Sequence, residues 1–209
     1  MQTITSLIPQ LPELRKQTNQ PAPRVTETEE QRQEIRQLLA DAGFDFVNQG
    51  IFDTIVTYGA RELAHTNSKG LFLTGPVGIG KTLGVSILAA HFQWPVLPVT
   101  AVVSAFLECT ETEFTDFISA YDFWGTPRPI VLDDLGIEPV PVNRYGTAYN
   151  VLADVLDLRY RLFLRYKVKT IVTTNLADAD LVYRYGFRMD DRLNQMFDFA
   201  AVIGESRRK

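Results

Sequence analysis

The sequence predicts an α/β fold, a parallel sheet with helices on both faces, and three observations carry that reading. Short apolar runs alternate with amphipathic stretches at helical spacing, the pattern of strand–helix–strand units. Three of those runs end in residues capable of chemistry: Thr74 leads into a glycine-rich turn, Leu132 into Asp133 and Asp134, and Val172 into Thr174 and Asn175. Such sheets bind ligands beyond the carboxyl ends of their strands, so the three tips converge on one place. Finally, 209 residues with 45% hydrophobic content suffice for one domain with a real core.

The bulk numbers also exclude. A net charge of −4 gives no overall basic field, so nucleic acid would have to be met by a local patch or by several pooled subunits. Cys109 stands alone, which rules out a disulfide framework and a Cys-rich zinc cluster, and reads as a packed small residue. No apolar run reaches membrane-span length and the first residues lack a secretion-signal layout, so a cytoplasmic protein is expected.

Taken in order, residues 1–25 place Pro9, Pro12, Pro21 and Pro23 among Gln, Thr and Asn, which predicts a flexible, extended arm. The domain proper is 26–209. Thr26 with Glu29 matches a capping box, opening a helix with Ile35, Leu38 and Leu39 on one face that stops at Gly43. A second helix from about Ile51 carries Phe52, Ile55, Val56, Gly59 and Leu63 on a stripe; together the two form a lead-in over 26–66. A strand over 71–74 and a glycine-rich turn follow. The next helix is expected to bury Leu83, Val85, Ile87, Leu88 and Phe92.

Residues 94–103 read as a second strand. The stretch 104–121 reads as a helix with Glu108, Glu111, Glu113 and Asp116 and no cation. Strands at 129–132 and 169–174, a long helix over 147–165, helices at 179–185 and from about Met189, and a short strand at 200–203 complete the chain. Arg159, Arg161, Arg165, Lys167 and Lys169 form the most basic segment. It reads as ordinary dipole compensation at a helix C-terminus, with contact to a phosphate backbone as the alternative.

The central motif is Leu71 to Thr82, LFLTGPVGIGKT. Gly75, Gly80, Lys81 and Thr82 satisfy G-x-x-x-x-G-K-[ST]. Glycines at 75, 78 and 80 let the backbone curl so that its N–H groups face phosphate oxygens, and the following helix adds its positive dipole end. The expected cradle is Gly75, Pro76, Val77, Gly78, Ile79, Gly80, Lys81, Thr82 and Leu83, with Pro76, Val77 and Ile79 needed only for their backbone. Lys81 would reach the β- and γ-phosphates and the Thr82 hydroxyl would ligate Mg²⁺. A strand ending in Asp133-Asp134 supplies the opposite wall: Asp133 for the metal, Asp134 to orient and deprotonate the attacking water. Asn175 reads as a contact to the γ-phosphate or that water, or simply as a turn residue after a strand. ATP and Mg²⁺ are the expected cofactors, and an ATPase the expected enzyme.

The series GPVGIGKT, IVLDDLG, TIVTTN, GFRMDDRL and GESRR resembles the sequential motifs of AAA+ ATPases, and within them the DnaC-type helicase loaders and IstB-type transposition ATPases. The likeness covers about residues 35 to 208. It implies a P-loop core with little or no C-terminal lid. It also implies that Asn175 is a first sensor, that Arg192 is a finger completing a neighbouring subunit's site (Arg188 being the other candidate), and that Arg208 is a second sensor (with Arg207 beside it). The function so implied is a nucleotide-controlled assembly switch in DNA replication, as a homo-oligomer in ATP and with a replicative helicase as partner. The alternatives are an ATPase assisting a transposase on duplex DNA and an interaction module stabilised by ATP without turnover. DNA, single- or double-stranded, is a possible partner, although the region after the second strand is acidic where loaders present basic residues. Gly84, in the first turn of the phosphate-loop helix, has no explanation in the sequence.

Overall fold

The computed structural model describes residues 27–44 and 49–202. The predicted N-terminal arm and the second-sensor pair Arg207 and Arg208 lie outside these residues. Two helices come first, α1 (Glu29–Asp41) and α2 (Gln49–Leu63). The core then runs β1 (Gly70–Thr74), α3 (Lys81–Phe92), β2 (Val96–Pro98), α4 (Val99–Glu108), α5 (Glu111–Ser119) and β3 (Ile130–Leu135). A hairpin of β4 (Val142–Arg144) and β5 (Thr147–Tyr149) precedes α6 (Val151–Tyr166), β6 (Thr170–Thr174), α7 (Asp178–Tyr185), α8 (Phe187–Met196) and β7 (Phe197–Ala201).

The five-stranded sheet has the order β2-β3-β6-β1-β7 and every pairing in it is parallel. Successive side chains on a strand face opposite ways, so each strand feeds two cores. Leu71, Leu73, Val131 and Ile171 pack with Ile35, Leu39, Ile55, Val85 and Leu88 of the lead-in helices and α3. Phe72, Leu132, Val172 and Phe197 pack on the other face with Val102, Ile118, Leu152, Val155, Leu156 and Leu193 of α4, α5, α6 and α8. The two-faced parallel sheet expected from the sequence is thus present.

Gly84 finds its reason here. A Cβ built on it would lie 2.7 Å from Phe44 Cζ and 3.2 Å from Ile55 Cγ1, both inside the core. The residue is small because the lead-in helices press directly onto α3, and close packing outweighs the helix-propensity penalty of roughly 1 kcal/mol.

Several boundaries differ from expectation. The first helix is capped by Thr28, whose hydroxyl accepts from the Gln31 amide while the Gln31 side chain accepts from the Thr28 amide; the expected cap, Thr26, lies outside the described residues. The predicted second strand shrinks to Val96–Pro98, because Val99, Val102 and Val103 have helical spacing and bury one face of α4. The single helix expected over 104–121 is two helices, since Thr110 with Glu113 forms a capping box that starts α5 afresh. The long helix begins at Val151 rather than 147; Asn150 caps it, and 147–149 belong to the β4–β5 hairpin. That hairpin turns at Tyr145 and Gly146, both at positive φ, a signature of the primed turns that close tight hairpins. Leu83 is half exposed rather than buried, while Ile79, expected to supply only backbone, is sealed in the core and anchors the loop.

The basic segment is divided among separate tasks. Arg159 is 0% exposed and Lys169 pairs with Glu62, whereas Arg161, Arg165 and Lys167 face solvent. Among the described residues, no helix is long and apolar enough to cross a membrane.

Candidate active site

The three strand tips meet. From β1 the chain enters a turn in which Gly78 and Gly80 take φ of +81° and +101°, and α3 starts directly from Gly80. Gly80 leaves no side chain over the first amides of α3, which have no partner within the helix. The Lys81 ammonium folds back over this turn. It donates to the carbonyls of Gly75 (2.7 Å) and Pro76 (2.8 Å) and to Oδ1 of Asn175 at the tip of β6 (2.6 Å).

Thr82 reaches the other tip. Its hydroxyl donates to Asp133 Oδ1 at 2.9 Å, and the Thr173 hydroxyl donates to the same oxygen at 2.6 Å. Thr173 in turn accepts from the Asp134 amide at 2.9 Å. This last bond marks a bulge: Leu132 pairs with Val172 but Leu135 pairs with Thr174, so β3 carries one residue more than β6. Asp134 occupies the bulge at φ +60°. In a regular strand two successive carboxylates would face opposite sides; the bulge re-aims Asp134 into the cleft while Asp133 bonds Thr82.

Val77 to Leu83, Ser86, Asp134, Ile137 and Asn175 line a cleft of about 690 Å³. More threonines fasten its walls. The Thr74 hydroxyl donates to the Leu176 carbonyl (2.9 Å) and that of Thr174 to the Leu135 carbonyl (2.6 Å), tying β1 and β3 to the β6 tip.

Sequence reasoning missed the anchor of the loop after Asp134. Glu138 is only 2% exposed, and its carboxylate accepts from the Gly136 amide (2.8 Å), Arg184 Nε (2.9 Å) and the Tyr185 hydroxyl (2.6 Å). Burial works against the Arg184 charge, but Glu138 overrides it and holds that guanidinium above its usual range. Burial, then the Glu138 bond and charge, push the Tyr185 phenol well above its usual range. The clamp joins the cleft loop to α7. Its only trace in the sequence is a Glu four residues beyond Asp134 and an Arg-Tyr pair ending an amphipathic helix, neither distinctive alone.

The residues fit a magnesium nucleoside triphosphate. A buried ammonium beside a curled glycine loop suits phosphate oxygens, and a hydroxyl with one carboxylate is a hard, incomplete oxygen set. Among the described residues no group of three His, Cys, Asp or Glu gathers to hold a metal alone. Mg²⁺ keeps several waters and takes phosphate oxygens as ligands, so a hydroxyl and one carboxylate would serve it.

The arginines lie apart from this cleft. Arg192 on α8 is ion-paired to Asp157 of α6, and its guanidinium sits 5.3 Å from the centroid of the Tyr160 ring. Arg188 on the same helix is exposed. Neither lines the cleft.

No family model and no curated relative matches the chain. Solved structures do. The DnaC helicase loader superposes over 72% of this chain and 87% of its own at 24% identity, with a TM-score of 0.51. DnaI superposes over 81% of this chain and 93% of its own at 20% identity, with a TM-score of 0.59. With a parallel five-stranded sheet, helices on both faces and a glycine loop opening the helix after β1, the chain shares the fold of these structures.

Proposed function

We propose that the chain is an ATPase acting as a nucleotide-controlled assembly switch, in the manner of a helicase loader, with a replicative helicase as its partner. The observation that carries this is the meeting of Lys81, Thr82, Asp133, Asp134 and Asn175 at one cleft. The fold shared with the DnaC helicase loader supports the direction of the assignment.

Magnesium triphosphate, when bound, supplies the transferable phosphoryl group and a cation that spreads its charge. The chain's residues do the rest. Lys81 exchanges its carbonyl partners for phosphate oxygens, and the amides from Gly78 to Leu83 add donors. Thr82 and Asp133 hold the metal. Asp134 accepts a proton from the attacking water at a carboxylate oxygen, and Asn175 orients that water. Arg192 serves the cleft of a neighbouring copy, which requires it to leave Asp157; Arg208 is the second sensor. Coupling of assembly to hydrolysis then follows from a site completed in trans.

The test is phosphate release and sedimentation with and without ATP. Lys81→Ala is expected to abolish nucleotide binding. Arg192→Ala is expected to bind nucleotide as wild type does and to lose hydrolysis by about 10³-fold together with ATP-driven assembly. Normal turnover by Arg192→Ala at concentrations where oligomers form would overturn the trans role.

A further inference from the structure

At the opposite end of the sheet from the cleft, the turn leading into β3 holds two aromatic rings out in solvent. Phe123 is 92% exposed and Trp124 84%, their ring centroids 5.2 Å apart, edge to face. The turn itself is firmly built. Asp122 Oδ1 accepts from the amides of Trp124 (2.9 Å) and Thr126 (2.8 Å), and the Asp122 amide donates to the Thr126 carbonyl. The rings are therefore presented by an ordered scaffold, at a hydration cost that a free surface does not recover.

The surroundings decide what covers them. From Val99 to Pro127 the chain carries Glu108, Glu111, Glu113, Asp116 and Asp122 and no Lys or Arg. Aromatic rings invite base stacking, but these carboxylates outnumber the Arg128 beside Asp116, whose guanidinium already donates to the Gln93 carbonyl, so phosphates would meet net repulsion here. A basic surface with apolar anchors is the complement, and this chain has one. The end of α6 exposes Leu164 and Tyr166 among Arg161, Arg165 and Lys167, with the Arg165 guanidinium 5.0 Å from the centroid of the Tyr166 ring.

The two patches share one end of the molecule. Arg159 of α6 donates to the carbonyls of Ile118 and Arg128, which flank the aromatic turn. Neighbouring patches of opposite sign are what a two-fold contact requires, since each copy then offers its acidic patch to the other's basic one. Covering an aromatic side chain removes about 150–250 Å² from water. Phe123 and Trp124 of two copies thus approach the roughly 1,000 Å² at which contacts become specific, before Leu164 and Tyr166 are added.

We propose that this face is a nucleotide-independent interface between two copies of the chain, with the Phe123–Trp124 turn of each seated on the basic end of α6 of the other. Sedimentation velocity of the full chain without nucleotide or Mg²⁺ tests it. Wild type and Lys81→Ala are both expected to form dimers. Replacing Phe123 and Trp124 with Ser is expected to weaken self-association by about thirtyfold or more, the loss typical of two anchor residues. Both side chains are exposed, so the variant folds. Reversing the basic patch (Arg161→Glu, Arg165→Glu, Lys167→Glu) or the acidic one (Glu108→Lys, Glu111→Lys, Asp116→Lys) is expected to give monomers, and mixing the two variants to restore a dimer. A monomeric wild type would overturn the proposal, as would an unaffected Phe123/Trp124 variant or reversed copies that stay apart when mixed. Loss of the dimer in Lys81→Ala would assign the contact to the cleft and overturn it too. Quenching of Trp124 by a single-stranded oligonucleotide would give the face to nucleic acid instead.

Discussion

Two buried cations mark the two ends of the sheet. At the cleft, Lys81 is 5% exposed and holds two loop carbonyls and the Asn175 amide oxygen. Beneath the sheet, Arg159 is fully buried. It donates to Thr170 Oγ1 (2.8 Å) and to the carbonyls of Ile118 (3.2 Å), Arg128 (3.1 Å) and Lys169 (2.7 Å). Burial lowers the Arg159 pKa to about 10, so it stays charged at neutral pH. Lys81 has oxygens on one side and an open cleft on the other, so a ligand can take its bonds over. Arg159, on α6, is enclosed by α5, the segment leading into β3 and the start of β6, and its bonds have nowhere to go. The first charge is available for binding and the second is a structural tie.

The strongest way to break this contrast is to remove each cation. Arg159→Leu leaves three carbonyls and a hydroxyl unsatisfied in the core, and is expected to cost about 3–5 kcal/mol in urea unfolding. Lys81→Ala is expected to change stability by less than about 1 kcal/mol, because its partners regain water through the cleft. Equal losses would show that burial alone, and not access, sets the outcome.

Glu138 sharpens the comparison, because it lies near the cleft yet is sealed like Arg159. Glu138→Gln keeps the shape but weakens charge-assisted bonds from Arg184 and Tyr185. It is expected to cost about 2 kcal/mol and to lower kcat more than it raises the KM for ATP. An unchanged kcat would leave the clamp a purely structural device.

Gly84→Ala probes packing at the cleft end. The added methyl meets Phe44, and overpacking is expected to cost about 1–2 kcal/mol by thermal or urea unfolding, net of the gain in helix propensity. A stabilised variant would mean that Phe44 moves aside freely.

The smallest effect is a pH dependence. Burial raises the Tyr185 phenol pKa in the folded state above its unfolded value. Its contribution to stability is therefore complete below about pH 10 and is lost as pH rises further. The stability gap between wild type and Tyr185→Phe is expected to narrow by about 1.4 kcal/mol per pH unit above that point. A gap that stays constant with pH would place the phenol in contact with water.

Much of the cleft was legible in the sequence because phosphate binding needs particular residues at fixed intervals. Gly75, Gly80, Lys81 and Thr82 are close neighbours in the chain, and Asp133 and Asn175 each end an apolar strand. What stayed hidden depends on contacts between distant segments. Thr173 looks like any strand threonine until its hydroxyl is seen between Asp133 and the Asp134 amide. Glu138 is 46 residues from Arg184 in the chain, and no periodicity links them. Elements failed where apolar runs were short: Val96 to Val103 is valine-rich enough for a strand, yet packing of one helical face decides the structure. Arg159 looked like part of a basic surface only because spacing does not report depth.

The glycine at position 84 has a mechanical corollary. With Phe44 seated against the first turn of α3, and Leu88 and Ile35 meeting at Gly59, there is no slack between the phosphate-loop helix and the pair of helices that precede the core. Any tilt of α3 must carry α1 and α2 with it, because interlocked side chains transmit displacement instead of absorbing it. The leading helices are thus fastened to the helix that opens from the glycine loop, and a displacement of one is felt by the other.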